Sequence, residues 1–136
     1  MLHHISFGVS DMGRSAKFYD AVLAALGYER VWTDAGEGQS GAAVGYGEKG
    51  GGDKFAIKLQ RVTPLAPGPG FHLAFAARSR GAVDAFHFAA LQNGGSDNGV
   101  PGLRPNYGPA YYAAFVVDPD GHHIEAVINT DSLDFQ

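Results

Sequence analysis

Near the N-terminus, Ile5, Phe7 and Val9 alternate with His4, Ser6 and Gly8, which predicts a half-buried strand with an apolar row on one face and the histidine on the other. The period then lengthens. Phe18, Tyr19, Val22, Leu23 and Leu26 recur at helical spacing, with Asp11 placed as the N-cap and Gly27 as the stop. The same strand-then-helix pattern returns 68 residues on: Leu73 and Phe75 alternate with His72, Ala74 and Ala76. Ser79 takes the cap position, Val83, Phe86, His87, Ala90 and Leu91 form the stripe, and Gly94-Gly95 end it. Laid over each other without a gap, the copies share His4/His72, Phe7/Phe75, Gly13/Gly81, Phe18/Phe86, Ala21/Ala89, Leu23/Leu91 and Gly27/Gly95. Residue frequencies alone would give roughly one or two such matches. The chain therefore holds a duplicated unit, and a unit of this kind buries its apolar face only against its twin.

Three further strands are predicted in the first copy: Tyr28–Thr33, Ala42–Tyr46 and Lys54–Gln60. In the second, the Gly-, Pro- and Asn-rich stretch Ser96–Pro109 leaves room only for a short strand. It precedes strands at Tyr111–Val117 and His122–Ile128, joined by the turn Asp118-Pro119-Asp120-Gly121. The expected architecture is α+β, with two tandem βαβββ modules at residues 1–63 and 71–130 and a proline-glycine linker at 64–70. At 136 residues these make one domain.

Composition narrows the chemistry. With 45% hydrophobic and 18% charged residues the chain has the make-up of a globular protein, and a net charge of -4 argues against a nucleic-acid partner. The absence of cysteine excludes disulfides, thiolate nucleophiles and Cys-based zinc sites, so His, Asp and Glu are the strong metal ligands available. No signal pattern and no span-length apolar run is present, so a soluble, cytoplasmic protein with no membrane partner is expected.

Alternation sorts the polar side chains onto the face away from the helices: His4, Ser6 and Gly8 in one copy, His72, Ala74 and Ala76 in the other. In the last strand Ile124, Ala126 and Ile128 are the apolar row, so Glu125 projects to the opposite side. Matching Ile124-Glu125-Ala126 to Ile57-Lys58-Leu59 makes Lys58 the repeat partner of Glu125. Pseudo-twofold packing would then bring His4, His72, Lys58 and Glu125 to one cavity. His87 is read as core, and His122 and His123 as opposite-facing residues at a turn end. Arg104, Tyr107, Tyr111 and Tyr112 cluster in a lid-like stretch, where the arginine suits a carboxylate or phosphonate and a tyrosine can donate to a developing anion.

The run from His4 to Asp11 with Arg14-Ser15 and Phe18-Tyr19, the His72 strand, and Asp118-Pro119-Asp120-Gly121 followed by Ile124-Glu125 together resemble the vicinal oxygen chelate superfamily. That group includes glyoxalase I, extradiol dioxygenases, fosfomycin-resistance transferases and bleomycin-resistance proteins. The resemblance implies an open, partly closed eight-stranded barrel with helices outside and a divalent metal (Fe2+, Mn2+, Ni2+ or Zn2+) on His4, His72 and Glu125. It also implies a small-molecule substrate bound through adjacent oxygens, and a homodimer. Catalytic roles then fall on Glu125, Lys58 and Tyr111, and substrate contacts on Arg104, Tyr107, Tyr112 and Lys58. The expected function is a metal-dependent lyase, transferase or dioxygenase. Lys58 stands where glyoxalase I has its fourth ligand, so the alternative is a metal-free sequestering protein of the bleomycin-resistance type with Lys58 paired to Glu125.

Overall fold

The computed structural model describes residues 1–36 and 41–130. In chain order the elements are β1 (Ile5–Val9), α1 (Met12–Ala25), β2 (Glu29–Asp34), β3 (Ala43–Gly47), β4 (Phe55–Leu59), β5 (Leu73–Ala76), α2 (Arg80–Gln92), β6 (Ser96–Leu103), β7 (Tyr111–Val117) and β8 (His123–Asn129). A short 3-10 turn at Pro105–Tyr107 separates β6 from β7. Two βαβββ modules result, in an α+β fold. Their strands form two four-stranded mixed sheets, ordered β1-β4-β3-β2 and β5-β8-β7-β6, with no closed barrel. Each module pairs its first strand with its last in parallel, and the other pairings are antiparallel.

Both helices start where the sequence predicts. The side chains of Asp11 and Ser79 accept the backbone N–H of Arg14 and Ala82, satisfying donors that have no partner within the helix. The predicted stripe of α1 is buried throughout, from Phe18 to Leu26. In α2, Val83, Phe86, His87 and Ala90 are buried, but Leu91 is exposed although its repeat partner Leu23 is not. Strand β6 is longer than expected and spans eight residues. It tolerates Pro101 and its glycines because it is an edge strand, bulged between Asp97 and Gly102, where missing ladder bonds cost little.

Each helix covers one face of its own sheet, and α1 packs against α2, so the modules meet helix to helix around a continuous core. Gly95 makes this approach possible: a Cβ there would lie 2.6 Å from the ring of Phe18 in the other module. The Asp118–Gly121 turn locks the join. Buried Asp118 accepts from Tyr19 Oη at 2.6 Å and from the backbone of Asp120 and His122, while Asp120 accepts from Ser10 and Arg14 at the start of α1. The two histidines at the turn end face opposite ways as expected, His123 exposed and His122 inward. His122 is buried, stacks on Phe7 with centroids 4.1 Å apart, and reaches the Gly8 carbonyl through Nε2 at 2.8 Å.

Candidate functional site

The helix-free face of the second sheet carries one chain of linked polar groups. In β8 the alternation places Glu125 opposite the apolar row, as expected, and the register sets it beside Ala74 of β5 and Phe115 of β7. Ala74 is too small to cover it, so His72, two residues earlier on the same row, bends over: its Nε2 lies 2.9 Å from Glu125 Oε1. On the other side Tyr111 Oη donates to Glu125 Oε2 at 2.5 Å. The carboxylate is thereby buried, with 1% of its side chain exposed, whereas the histidine is 53% exposed and accessible from solvent. Burial and the Glu125 carboxylate push the Tyr111 phenol up to about 12, which keeps it a proton donor to the carboxylate at neutral pH. The arrangement is a fixed phenol-carboxylate-imidazole series in which the exposed end is the imidazole.

Other aromatic groups frame it. The ring of Phe115 lies 6.4 Å from that of His72, and Tyr107 meets Tyr111 edge to face at 5.2 Å. Arg104 stacks over Phe115, its Cζ 5.3 Å from the ring centroid. Phe115 was not singled out from the sequence. It shares the odd-numbered row of β7 with Tyr111, and that alternation is the signal that could have found it. The same alternation removes Tyr112 from the site: it faces the helix side, where it donates to Asp84 at 2.7 Å and lies under Arg80.

Two further expectations are corrected. His4 does not join His72 and Glu125 within the chain. It directly precedes β1, at the N-terminal end of the other module, its Nδ1 lies 2.8 Å from that of His3, and it lines a cavity between the modules with Leu73 and Phe75. Lys58 is not the repeat partner of Glu125. In β1 and β4, Ser6 pairs with Ala56 and Gly8 with Lys58, while in β5 and β8, Ala74 pairs with Glu125, so Ala56 occupies the position that Glu125 holds in the second module. Lys58 is exposed on the first sheet beside Trp32, Asp34 and Gln60 and makes no ion pair with Glu125. Within one chain, among the described residues, Lys58 and Glu125 therefore do not meet.

As a metal centre the fit is half complete. Two cis ligands at about 2.1 Å from an ion sit about 3 Å apart, close to the 2.9 Å between His72 Nε2 and Glu125 Oε1. Among the described residues, however, no three His, Asp or Glu side chains gather closely enough to hold an ion. Within one chain His72 and Glu125 stand together as a hydrogen-bonded pair without a third ligand among the described residues.

Comparison with known proteins places the fold in a family. Residues 1–126 match the model of the Glyoxalase/Bleomycin resistance protein/Dioxygenase superfamily. A glyoxalase/bleomycin resistance protein from Albidiferax ferrireducens T118 is 37% identical, with 91% of this chain and 95% of that one covered and a TM-score of 0.73. A glyoxalase-related enzyme from Fulvimarina pelagi (22% identity, 95% and 88% covered, TM-score 0.69) shares the fold. So does the E144Q mutant of glyoxalase I from Zea mays (24% identity, TM-score 0.73), where 94% of this chain matches 46% of that one, less than half its length. No curated protein matches the chain. The duplicated βαβββ fold and the match over most of its length make the chain a member of the Glyoxalase/Bleomycin resistance protein/Dioxygenase superfamily.

Proposed function

We propose that the chain is one subunit of a divalent-metal-assisted enzyme acting on a small oxygen-bearing molecule. In this reading His72 and Glu125 of one copy form half of the metal site and His4 of a second copy completes it. The observation that carries the reading is the His72–Glu125 pair, held at coordination spacing on the helix-free face of its sheet. The modules of one chain meet through their helices, so a second copy is needed to bring a β1 face against a β5 face. Superfamily membership adds support, since the group includes glyoxalase I.

The residues divide the work by position. Tyr111 holds Oε2 of Glu125, so Oε1 stays aimed at His72. Glu125, screened from bulk water, can take a proton from a substrate and return it, while the exposed imidazole meets the substrate first. A bound divalent ion would supply Lewis-acid polarisation of two adjacent substrate oxygens.

The test is complementation. His4→Ala and Glu125→Ala proteins should each lose stoichiometric metal on elemental analysis of tag-free protein. When the two are co-expressed, their mixed dimers should recover it in one of two sites, since one intact half from each chain then meets. Failure of the mixture to recover metal would show that the site is not shared, and metal retained in Glu125→Ala would remove the reading.

A further inference from the structure

We infer that Arg104 is an anion-recognition residue on the same face and that the ligand it takes is a small carboxylate. This rests on the half-site proposed above and adds the charge class of its substrate. The guanidinium is immobilised. Nη1 donates to the Gly102 carbonyl at 2.9 Å, Nη2 donates to the Val100 carbonyl at 2.6 Å, and the plane lies over Phe115. These two bonds leave three of the five N–H donors of an arginine for other partners.

The backbone is shaped around that pose. Gly99 has a φ of +153°, and a Cβ there would come within 2.9 Å of the Phe115 ring and 3.2 Å of Arg104 Nη2. A side chain at 99 would displace both groups. Phe115 in turn is the cross-strand neighbour of Glu125 and the ring beside His72, so a single aromatic ring separates the guanidinium from the imidazole. Among the described residues Arg104 belongs to no ion pair. A half-buried cation with a fixed plane and spare donors, one ring away from a buried carboxylate that already has two partners, is organised in advance for a carboxylate from outside. An arginine that merely braced the β6 bulges would give no preference between charged and neutral ligands.

Mandelate and mandelamide share a skeleton with adjacent oxygens and differ in charge. Calorimetric titration of the full-length protein as isolated should favour mandelate by about tenfold or more, the size expected of charge-assisted hydrogen bonds. Arg104→Gln should cut that preference by weakening mandelate alone, with metal content and mandelamide affinity unchanged, and should do so also in protein stripped of metal with a chelator, where an ion's own preference for a carboxylate is absent. Arg104→Lys, which keeps the charge without the fork, should retain part of it and serves as the folded control if the glutamine variant is unstable. A wild-type protein that binds mandelate no better than mandelamide, or not at all, overturns the inference. Equal weakening of both ligands in Arg104→Gln does so too. Protein that shows the Arg104-dependent preference but takes up no divalent ion on equilibrium dialysis would overturn the half-site while supporting the anion site.

Discussion

The two modules share a backbone plan and differ where a ligand would meet them. On the helix side the copies agree: Phe7 with Phe75, Phe18 with Phe86, and matching caps at Asp11 and Ser79. On the opposite face they part. The second module carries Glu125, gripped by His72 and Tyr111 and flanked by Phe115 and Arg104. The first has Ala56 at the matching position, Trp32 lying over Gly45, and Lys58 in solvent. Both Ala56 and Glu125 are buried, so the difference lies in what surrounds each: small cross-strand neighbours in the first module, an imidazole and a phenol in the second.

The comparison breaks most severely at the carboxylate. Glu125→Ala should lower turnover about a hundredfold or more, in the range of general acid-base contributions, read from kcat on any substrate found. It also leaves the buried Tyr111 hydroxyl without its acceptor. The turn that joins the modules is next. Asp118→Ala leaves the Tyr19 hydroxyl and two backbone N–H groups without their acceptor, and urea denaturation should show a loss of about 3 kcal/mol. Lys54, on the corresponding connection of the first module, should change stability by no more than about 0.5 kcal/mol on replacement by Ala.

Ala56→Glu sharpens the contrast in the other direction. It places a second carboxylate at the vacated repeat position, and equilibrium dialysis should show metal affinity raised about tenfold if a β1 face completes the site. Lys58→Ala, two residues along, should leave that affinity unchanged.

The smallest effects concern two carboxylates with opposite shifts. Burial raises the Asp118 carboxyl, so the stability it contributes grows as pH falls through that raised value. The His87 bond and the Gly99 N–H lower Asp97, so its contribution is present above the ordinary carboxylate range and is lost as pH falls through the lowered value. Asp97→Asn should therefore differ from wild type in denaturation midpoint at neutral pH and converge with it in acid.

Much of this was legible in the linear pattern. Strand and helix periods located both modules, the caps and the apolar stripes, because those signals depend on neighbours within one turn or one pleat. Alternation places His72 and Glu125 on one face, and the same rule puts Tyr111 and Phe115 on one row and Tyr112 on the other. Strand β6 was underestimated because its Gly and Pro content reads as loop unless the edge position is known. The triplet Ile57-Lys58-Leu59 resembles Ile124-Glu125-Ala126 in sequence, but hydrogen-bonded register puts Ala56 opposite Ser6.

The sequence alone determined the duplication, the period of each element and the chemical groups available, since these are local and repeat themselves. Only the tertiary structure decided that the two histidines stand apart, each just before the first strand of its own sheet, and that Glu125 is buried between an imidazole and a phenol. It also decided that a turn from the second module is inserted against the first. Register and the helix-to-helix join are set by packing among residues far apart in the chain, and no local pattern records which of two similar strands slides by two residues.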